Sequence, residues 1–248
     1  MSKSRHPDEP AVRGYSVRHP PGQAVLPIES GWDQLLYTAA GTMTITTSSG
    51  SWTIPPYRAV WIPDGRPARV RNRFPVAVRS LYFACEMRAL PASPGAVTVS
   101  GFVRELLLHT VHTCPLQLDD PVHCALMTVL LDQLRALPAA ALWLPMPDDA
   151  RATAAATLIR AAPALTLSAV ARNVATSQRT LERTFRTQTG MSLGAWRRRA
   201  RILGSLDYLA ADYSVTDAAL AAAYATPSAF VTAFKHELGQ APLAFLRH

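Results

Sequence analysis

Apolar and polar positions alternate in different ways in the two halves of the chain. Between Asp33 and Phe83 they alternate with period two, and turn residues such as Ser49-Gly50 and Asp64-Gly65 break the pattern. Short alternating segments at a spacing of roughly 8 to 12 residues predict an antiparallel β-sandwich or barrel. From Gly101 onward, apolar residues recur at steps of three and four, which predicts helices.

The helical pattern of residues 166–248 occurs twice. Phe230 follows Leu181 by 49 positions (230 − 181 = 49), and the same offset relates Phe234 to Phe185 and Gly239 to Gly190. Applied to the preceding helix, this offset pairs four apolar positions, Leu167, Val170, Ala171 and Val174, with Thr216, Ala219, Leu220 and Ala223. The sequence therefore indicates an internal duplication.

Each copy predicts a helix, a tight turn and a second helix. Ser177 and Thr226 are suitable N-caps for the second helices, because a hydroxyl accepts hydrogen bonds from unpaired backbone N–H groups. Gly190 and Gly239 are suited to end them, since glycine readily adopts the left-handed conformation. This unit is a helix-turn-helix, which places its second helix in the major groove of DNA. An alanine-rich interaction bundle without nucleic acid remains the alternative.

The positive charge of the chain is concentrated on the duplicated part. Residues 151–248 contain 12 Lys+Arg and 5 Asp+Glu (12 − 5 = +7), whereas residues 1–150 contain 13 and 12 (13 − 12 = +1). Phosphate contacts supply much of the affinity of a DNA-binding domain and require such a concentration of cations. The charge distribution thus favours double-stranded DNA as the partner.

Two sequence runs make the expectation specific. SQRTLERTFRTQTGMSLGAWRRRARI (177–202) and SVTDAALAAAYATPSAFVTAFKHELGQAPLAFL (214–246) resemble the double helix-turn-helix domain of AraC/XylS-type transcription regulators. The resemblance implies a DNA-binding transcription regulator and suggests RNA polymerase as a further partner. The sequence departs from the family pattern at Ala223, where glycine is usual, and at Ala225, where aspartate or serine is commoner.

The resemblance also assigns DNA-contacting positions. In the first unit they are Gln178, Arg179, Glu182, Arg183 and Arg186; in the second they are Ser228, Thr232 and Lys235, beside Pro227 and Ala229. Arginine pairs with guanine through two hydrogen bonds and glutamate accepts from cytosine, so base preference is expected on the first unit. A helix from Leu193 to Ala210 would span about 27 Å, comparable to the ~34 Å between successive major grooves on one face of DNA.

The amino-terminal half has a resemblance of its own. The run WDQLLYTAAGTMTITTSSGSWTIPPYRAVWIPDG (32–65) is similar to the cupin-like sensor domain of one branch of AraC-type regulators. This implies a barrel that binds a small-molecule effector. Metal-binding cupins use histidines, but PIESGWD (27–33) has none and Ala68 stands where a histidine is common, so no metal or other cofactor is expected.

A barrel pocket lined by aromatic residues is the expected ligand site. Its candidate residues are four aromatic and two polar side chains: Trp32, Tyr37, Trp52, Trp61, Gln34 and Arg58. Small-molecule sites are mostly apolar with a few placed polar groups, which fits this set. The alternative is that the aromatic side chains simply fill the core of a small barrel.

Two helices are predicted between Gly101 and Leu137, separated by a turn at Asp119-Asp120-Pro121. The second helix has enough apolar surface to serve as a homodimer contact centred on Leu130, or else to pack on the amino-terminal sheet. His109, His112 and Cys114 lie close in sequence, but their spacing is poor for a metal site, and we expect the histidines to be solvated or packed.

The sequence therefore predicts an α+β, two-domain chain. An antiparallel cupin-like β-barrel is followed by helices and then by an all-α double helix-turn-helix domain. The expected segments are a disordered tail (1–20), the sensor barrel (21–95), a helical segment (96–138), a linker (139–150) and the DNA-binding domain (151–248). The rival functions are a cupin-like metal-dependent enzyme with an appended helical domain and a DNA-binding protein that senses nothing.

Three further observations limit the function classes. Cys85, Cys114 and Cys124 are odd in number and lack CxxC spacing, as expected for reduced thiols inside a cell. Neither a signal peptide nor a membrane span is apparent, so a cytoplasmic location is expected. The sequence has no GxSxG, HExxH or glycine-rich phosphate loop, and no catalytic residue is assigned.

Overall fold

The computed structural model describes residues 9–26, 29–48, 50–87 and 90–246. Its strands form two antiparallel five-stranded sheets, in the orders β1-β8-β3-β6-β9 and β10-β5-β4-β7-β2. The strands are β1 Val12–His19, β2 Gly22–Leu26, β3 Trp32–Ala40, β4 Met43–Thr47, β5 Gly50–Ile54, β6 Arg58–Ile62, β7 Ala68–Asn72, β8 Val76–Ala84, β9 Gly95–Thr98 and β10 Trp143–Leu144. The predicted barrel-like antiparallel fold is confirmed.

The first sheet is covered on both faces. Leu36 and Val78 join the core between the two sheets. Leu35 and Tyr37 lie on the opposite face, in a second core that includes residues of helices α1 (Gly101–Thr113) and α2 (Pro121–Arg135). Successive side chains of a strand point to opposite faces. Because both faces are packed, every residue from Trp32 to Thr38 is buried.

The tail predicted for residues 1–20 instead contains a strand. β1 pairs with β8 over its whole length, from Val12 opposite Phe83 to His19 opposite Val76. Most of its side chains are exposed, so the strand is polar and resembles a tail in sequence. Its backbone hydrogen bonds to β8 do not depend on apolar side chains, which explains why periodicity missed it. Residues 1–8 lie outside the described residues.

The predicted linker, residues 139–150, contains the shortest strand of the barrel. Trp143 and Leu144 of β10 pair with Trp52 and Ser51 of β5, and Leu144 is buried. The backbone N–H of Ala140 donates to the carbonyl of Ala96 at 2.8 Å. The segment between barrel and helical domain therefore forms backbone hydrogen bonds with both sheets, with β9 through Ala140 and with β5 through β10.

The helices of the carboxy-terminal part follow the predicted order. They are α3 Ala150–Ala161, α4 Leu167–Asn173, α5 Gln178–Thr189, α6 Leu193–Leu209, α7 Val215–Ala221, α8 Pro227–Leu238 and α9 Pro242–Phe245. Trp196, Phe185 and Phe234 are fully buried among them. This core is continuous with the core between the sheets. The exact domain division therefore stays a prediction.

Helix α2 packs on the first sheet through the residue that we had placed in a dimer contact. Leu130 is fully buried in the core beneath α1 and α2. The alternative interpretation, packing on the amino-terminal sheet, therefore holds for Leu130. The exposed apolar residues of α2 are Val122 and Val129. Homodimerisation itself stays a prediction.

Candidate nucleic-acid interface

The second helix of each unit begins and ends as predicted. The Ser177 hydroxyl accepts from the Thr180 N–H at 3.1 Å, and the Thr226 hydroxyl accepts from the Ala229 N–H at 3.2 Å. Gly190 and Gly239 follow α5 and α8 with φ of 71° and 80°. Hydroxyl caps and left-handed glycines thus set the length of both helices.

The turns show that the two copies differ by one residue. Ala175 and Ala223 both adopt left-handed φ angles, 50° and 57°, and lie 48 positions apart (223 − 175 = 48). Since Ser177 and Thr226 lie 49 positions apart (226 − 177 = 49), the second turn holds one additional residue, before Thr226.

Our pairing of the first helices is therefore wrong by one position. The counterpart of buried Ala171 is buried Ala219, whereas Leu220, which we paired with it, is 75% exposed. Matching hydrogen bonds support the new pairing: Thr176 N–H donates to the Ala171 carbonyl at 3.0 Å, and Tyr224 N–H donates to that of Ala219 at 2.9 Å. The alanine-rich run of α7 presents similar residues at neighbouring positions, so its apolar pattern does not fix the register.

The DNA-contacting residues predicted in the first unit project from α5, opposite its buried residues. Gln178, Arg179, Arg183 and Arg186 are exposed and Glu182 is half-buried. Within the described part of the chain, none of these five side chains is held by a hydrogen bond or an ion pair. The helix therefore presents three arginines and two acceptors that are free to contact another molecule.

The second unit presents a smaller and less charged surface. Ser228, Thr232 and Lys235 are exposed on α8. The Thr232 hydroxyl donates to the Ser228 carbonyl one turn earlier, at 3.0 Å. Lys235 is the only cationic group among the three, and short hydroxyl side chains offer few paired hydrogen bonds. α8 is thus better suited to a few phosphate contacts than to base recognition.

Four arginines of α6 hold the domain together. The guanidinium groups of Arg197 and Arg201 both donate to the Pro163 carbonyl beyond the end of α3, at 3.0 and 2.9 Å. Burial lowers the pKa of both groups. Arg198 and Arg199 form ion pairs with Glu237 of α8, at 3.1 and 3.4 Å. These contacts could not be predicted from the sequence, because spacing gives no sign of a distant carbonyl.

Helix α6 also binds the segment that leads to it from the barrel. Arg199 donates to the carbonyls of Trp143 and Ala141 at 2.8 and 2.9 Å. The Trp196 indole N–H donates to the Pro145 carbonyl at 2.6 Å. We call residues 139–149, which include β10, the junction. The junction is thus attached to the barrel on one side and to α6 on the other.

The predicted ligand-binding residues do not line one site. Tyr37 and Trp61 lie on the outer face of the first sheet, in the core with α1 and α2, and the Trp61 indole donates to the Pro91 carbonyl at 2.9 Å. Arg58 is buried and donates to the carbonyl of Phe245, with its guanidinium 4.7 Å from that ring. These three predictions are wrong for a common pocket, because period two does not show which face is the interior.

The remaining candidates, Trp32, Trp52 and Gln34, lie on the side of the sheets that faces the barrel interior. Trp32 is covered by the Arg13 guanidinium at 3.9 Å, and Trp52 is buried in the core between the sheets. The Gln34 side-chain oxygen is buried without a hydrogen-bond partner among the described residues. Their role in ligand binding stays a prediction.

A cavity of about 670 Å³ opens between the two sheets beside β1 and β2. It is lined by apolar residues with a few polar groups, including Tyr15, Leu36, Met43, Val78 and Tyr82. The rings of Tyr15 and Tyr82 meet edge to face at 5.5 Å between centroids. Sequence reasoning missed this cavity because it assigned β1 to a tail.

The described residues contain no group of three His, Cys, Asp or Glu residues placed to hold a metal ion. His109 and His112 are exposed on α1. Burial raises the pKa of Cys114 to about 11. None of the described helices combines the length and hydrophobicity needed to cross a bilayer.

Comparison with known proteins supports the carboxy-terminal geometry. A family model described as a helix-turn-helix domain matches residues 170–248. The HTH-type transcriptional regulator NimR of Escherichia coli K12 is 28% identical over 84% of this chain and 77% of its own length. The regulator RipA of Corynebacterium glutamicum is 33% identical over 41% of this chain and 31% of its own length.

Among solved structures, that of fatty-acid-bound ToxT from Vibrio cholerae aligns with 99% of this chain and 97% of its own, at 13% identity and a TM-score of 0.39. The relatives with similar sequences are transcriptional regulators. Residues 170–248 therefore match a helix-turn-helix domain, in a chain homologous to transcriptional regulators.

Proposed function

We propose that this regulator binds its operator through two adjacent major grooves, with α5 in one groove and α8 in the next. The observation that carries the proposal is the unengaged set of polar side chains on α5, with Arg179, Glu182 and Arg183 at its centre. Residues near the start of a recognition helix face base edges. Arginine recognises guanine and glutamate accepts from cytosine, so this set is suited to direct readout.

The helix that joins the units supports this spacing. α6 has 17 residues. At 1.5 Å per residue it is about 26 Å long, which is comparable to the ~34 Å between successive grooves on one face of DNA. Its arginines fix α3 and α8, since they bind the Pro163 carbonyl and Glu237. α6 also contacts α5 through Trp196 and Phe185, whose ring centroids lie 5.2 Å apart, so one helix packs against both recognition helices.

The two helices would contribute differently. α5 would supply most of the sequence preference, whereas α8 would anchor the complex through phosphate contacts of Lys235 and its neighbouring hydroxyls. A phosphate contact raises affinity for every sequence and adds to the salt dependence. The proposal therefore predicts one strongly specified half-site and one tolerant half-site.

Selection of bound sequences from random DNA, followed by titration of Arg183→Ala, tests the proposal. On the selected operator the variant should lose about 1–3 kcal/mol of binding free energy and its preference at one base pair. Lys235→Ala is the matched control, because it should weaken binding on all sequences and lower the salt slope by about one. An equal loss of Arg183→Ala on all sequences would show a phosphate contact instead.

We further propose that the cavity between the sheets binds a small-molecule effector. Its volume of about 670 Å³ and its mainly apolar lining are typical of ligand sites. The phenol of Tyr82, which lines the cavity, is protonated at neutral pH and can donate a hydrogen bond. The fitting ligand has an apolar body and an acceptor that reaches Tyr82.

RNA polymerase contact and homodimerisation stay predictions.

Thermal unfolding against a metabolite panel tests the effector site. A ligand at 100 times its dissociation constant adds about 2.7 kcal/mol of stability. Val17→Trp, which narrows the cavity at its rim, should remove that gain, whereas Val122→Trp, on exposed α2, should keep it. If no compound of a broad panel stabilises the chain, a barrel that serves only in assembly is favoured.

A further inference from the structure

A second recess lies outside the barrel, between its second sheet and the helical domain. It has a volume of about 150 Å³ and is lined by residues of β4, β5, β7, α3 and α6. An adjoining recess of about 240 Å³ shares four lining residues with it, Thr44, Arg71, Arg160 and Ala161. We call the two recesses together the interdomain cleft.

Strand periodicity makes the floor of the interdomain cleft polar. Met43 and Ile45 of β4 point into the barrel core. Thr44 therefore points outward, and Ser51 and Thr53 of β5 join it in lining the cleft. These three hydroxyl residues are buried. The sheet thus offers the helices a surface with hydroxyl donors.

The walls of the cleft carry far more positive than negative charge. Five arginines line it: Arg69, Arg71, Arg73, Arg160 and Arg201. Asp207 of α6 is the one acidic residue among the described residues that line it. The resulting excess is +4 (5 − 1), carried by β7 and the turn after it in the barrel and by α3 and α6 in the helical domain. A cavity lined by one sign of charge attracts ions of the opposite sign.

Arg71 and Arg160 face each other across the cleft, and Asp207 is the one acidic side chain of the described lining that interacts with both. Burial and repulsion from Arg71 both lower the pKa of Arg160. Within the described part of the chain, neither guanidinium takes part in a hydrogen bond or ion pair. Arginine presents five donors in a planar fork that matches phosphate and carboxylate. A bound anion would satisfy both donors and cancel their repulsion.

We propose that the interdomain cleft binds a small multivalent anion, a phosphate ester or a polycarboxylate, that bridges Arg71 of the barrel and Arg160 of the helical domain. This site is distinct from the effector cavity, which lies inside the barrel on the other face of β4. Because the anion contacts both halves, its binding stabilises their arrangement and links the orientation of the helical domain to the concentration of a charged metabolite.

Asp207 gives the proposal a directional test. Its carboxylate is 8% exposed and faces Arg71, Arg73 and Arg160. It therefore occupies the place of a weak internal counter-ion, and it repels an entering anion. Replacing it with asparagine removes that repulsion without adding a cation. A bound anion should then be held more tightly.

The experiment is calorimetric titration of the full chain with inorganic phosphate and, separately, citrate, at constant ionic strength in chloride. Arg160→Gln and Arg71→Gln should each weaken binding by about tenfold or more, since each removes charge-assisted hydrogen bonds. Asp207→Asn should tighten it. Arg151→Gln, on the exposed side of the same helix α3, is the matched control and should bind as the parent chain does. The stronger of the two probes identifies the ligand chemistry.

Several outcomes would overturn the proposal. If Arg160→Gln and Arg151→Gln weaken anion binding equally, the anion binds through the general positive charge of the chain and not in the cleft. Loss of binding in Arg183→Ala with retention in Arg160→Gln would place the anion on the DNA-binding surface. Weaker anion binding by Asp207→Asn than by the parent chain would contradict the proposal as well, and so would no binding of either phosphate or citrate. Operator binding is measured separately, so failure of this site leaves the DNA-binding proposal unaffected.

Discussion

The two helix-turn-helix units share one backbone design but present different surfaces. Both have a hydroxyl cap before the second helix, a left-handed glycine after it and a left-handed alanine in the turn. α5 nevertheless exposes three arginines, whereas α8 exposes Lys235 and short hydroxyl residues. The comparison shows that the two copies keep the same kinds of helix cap, whereas the charged side chains that their second helices expose differ.

The acidic residues are distributed unequally as well. Glu182 of α5 has no hydrogen bond or ion pair with the described residues. Glu237 of α8 is tied to Arg198 and Arg199 of α6. The second unit therefore directs its acid inward, to brace the connecting helix, and the first directs its acid outward. Under the proposed function, the first unit would serve mainly recognition and the second mainly support of α6.

The largest expected effect tests whether the two units share one core. Phe185 and Phe234 are fully buried, beside Trp196 and Phe245 at 5.2 and 5.7 Å between ring centroids. Phe185→Ala and Phe234→Ala should each lower the free energy of unfolding by about 3–5 kcal/mol. Urea denaturation measures this, with exposed Lys235→Ala as the control. A small loss for Phe234→Ala alone would break the structural equivalence of the units.

The next effect concerns α6, which connects the units. Burial raises the pKa of Asp207 from its usual 3.8 to about 6. The folded state therefore holds this proton more tightly, so the free energy of unfolding should fall as pH rises from about 4 to about 6. Asp207→Asn should remove this fall and add up to about 3 kcal/mol at pH 7. Urea denaturation between pH 4.5 and 7 measures both effects. If the free energy of unfolding of Asp207→Asn falls with pH as that of the parent chain does, Asp207 is not the group that titrates.

The smallest effect concerns the turns. Ala175 and Ala223 have positive φ, a conformation that costs alanine roughly 1–2 kcal/mol. Ala175→Gly and Ala223→Gly relieve that strain but lose chain entropy, so each should add at most about 1 kcal/mol of stability. Ala154→Gly, exposed within α3, should instead lose about 1 kcal/mol. Thermal unfolding measures these changes. A gain of stability in both turn variants and a loss in Ala154→Gly would support the equivalence of the turns, and a loss of stability in either turn variant would argue against it.

Local chemistry made the helical part predictable. Ser177, Thr226, Gly190 and Gly239 each act within one helical turn, so their identities alone indicated where α5 and α8 begin and end. The register of α7 was less predictable, because alanines at neighbouring positions are equally able to enter a core. Only the burial of Ala219 and the exposure of Leu220 decide it.

The barrel was predictable in class but not in its interior. Strand alternation gives two faces, and on β3 both are packed, so Tyr37 and Leu36 look alike in sequence although they face different cores. The polar β1 depends on backbone pairing with β8, which no side-chain pattern records. The cleft arginines come from distant parts of the chain, and only the fold brings Arg71 to Arg160.

The junction has a practical consequence for recombining this protein. Its backbone completes the second sheet through Trp143, and its carbonyls are bound by Arg199 and Trp196 of the helical half. A chimera spliced at residue 150 would keep the sheet pairing but lose these α6 donors, unless the incoming half carries an equivalent arginine and tryptophan. An exchange of the barrel between related chains therefore requires transfer of the junction together with Trp196 and Arg199, which hydrogen-bond to it.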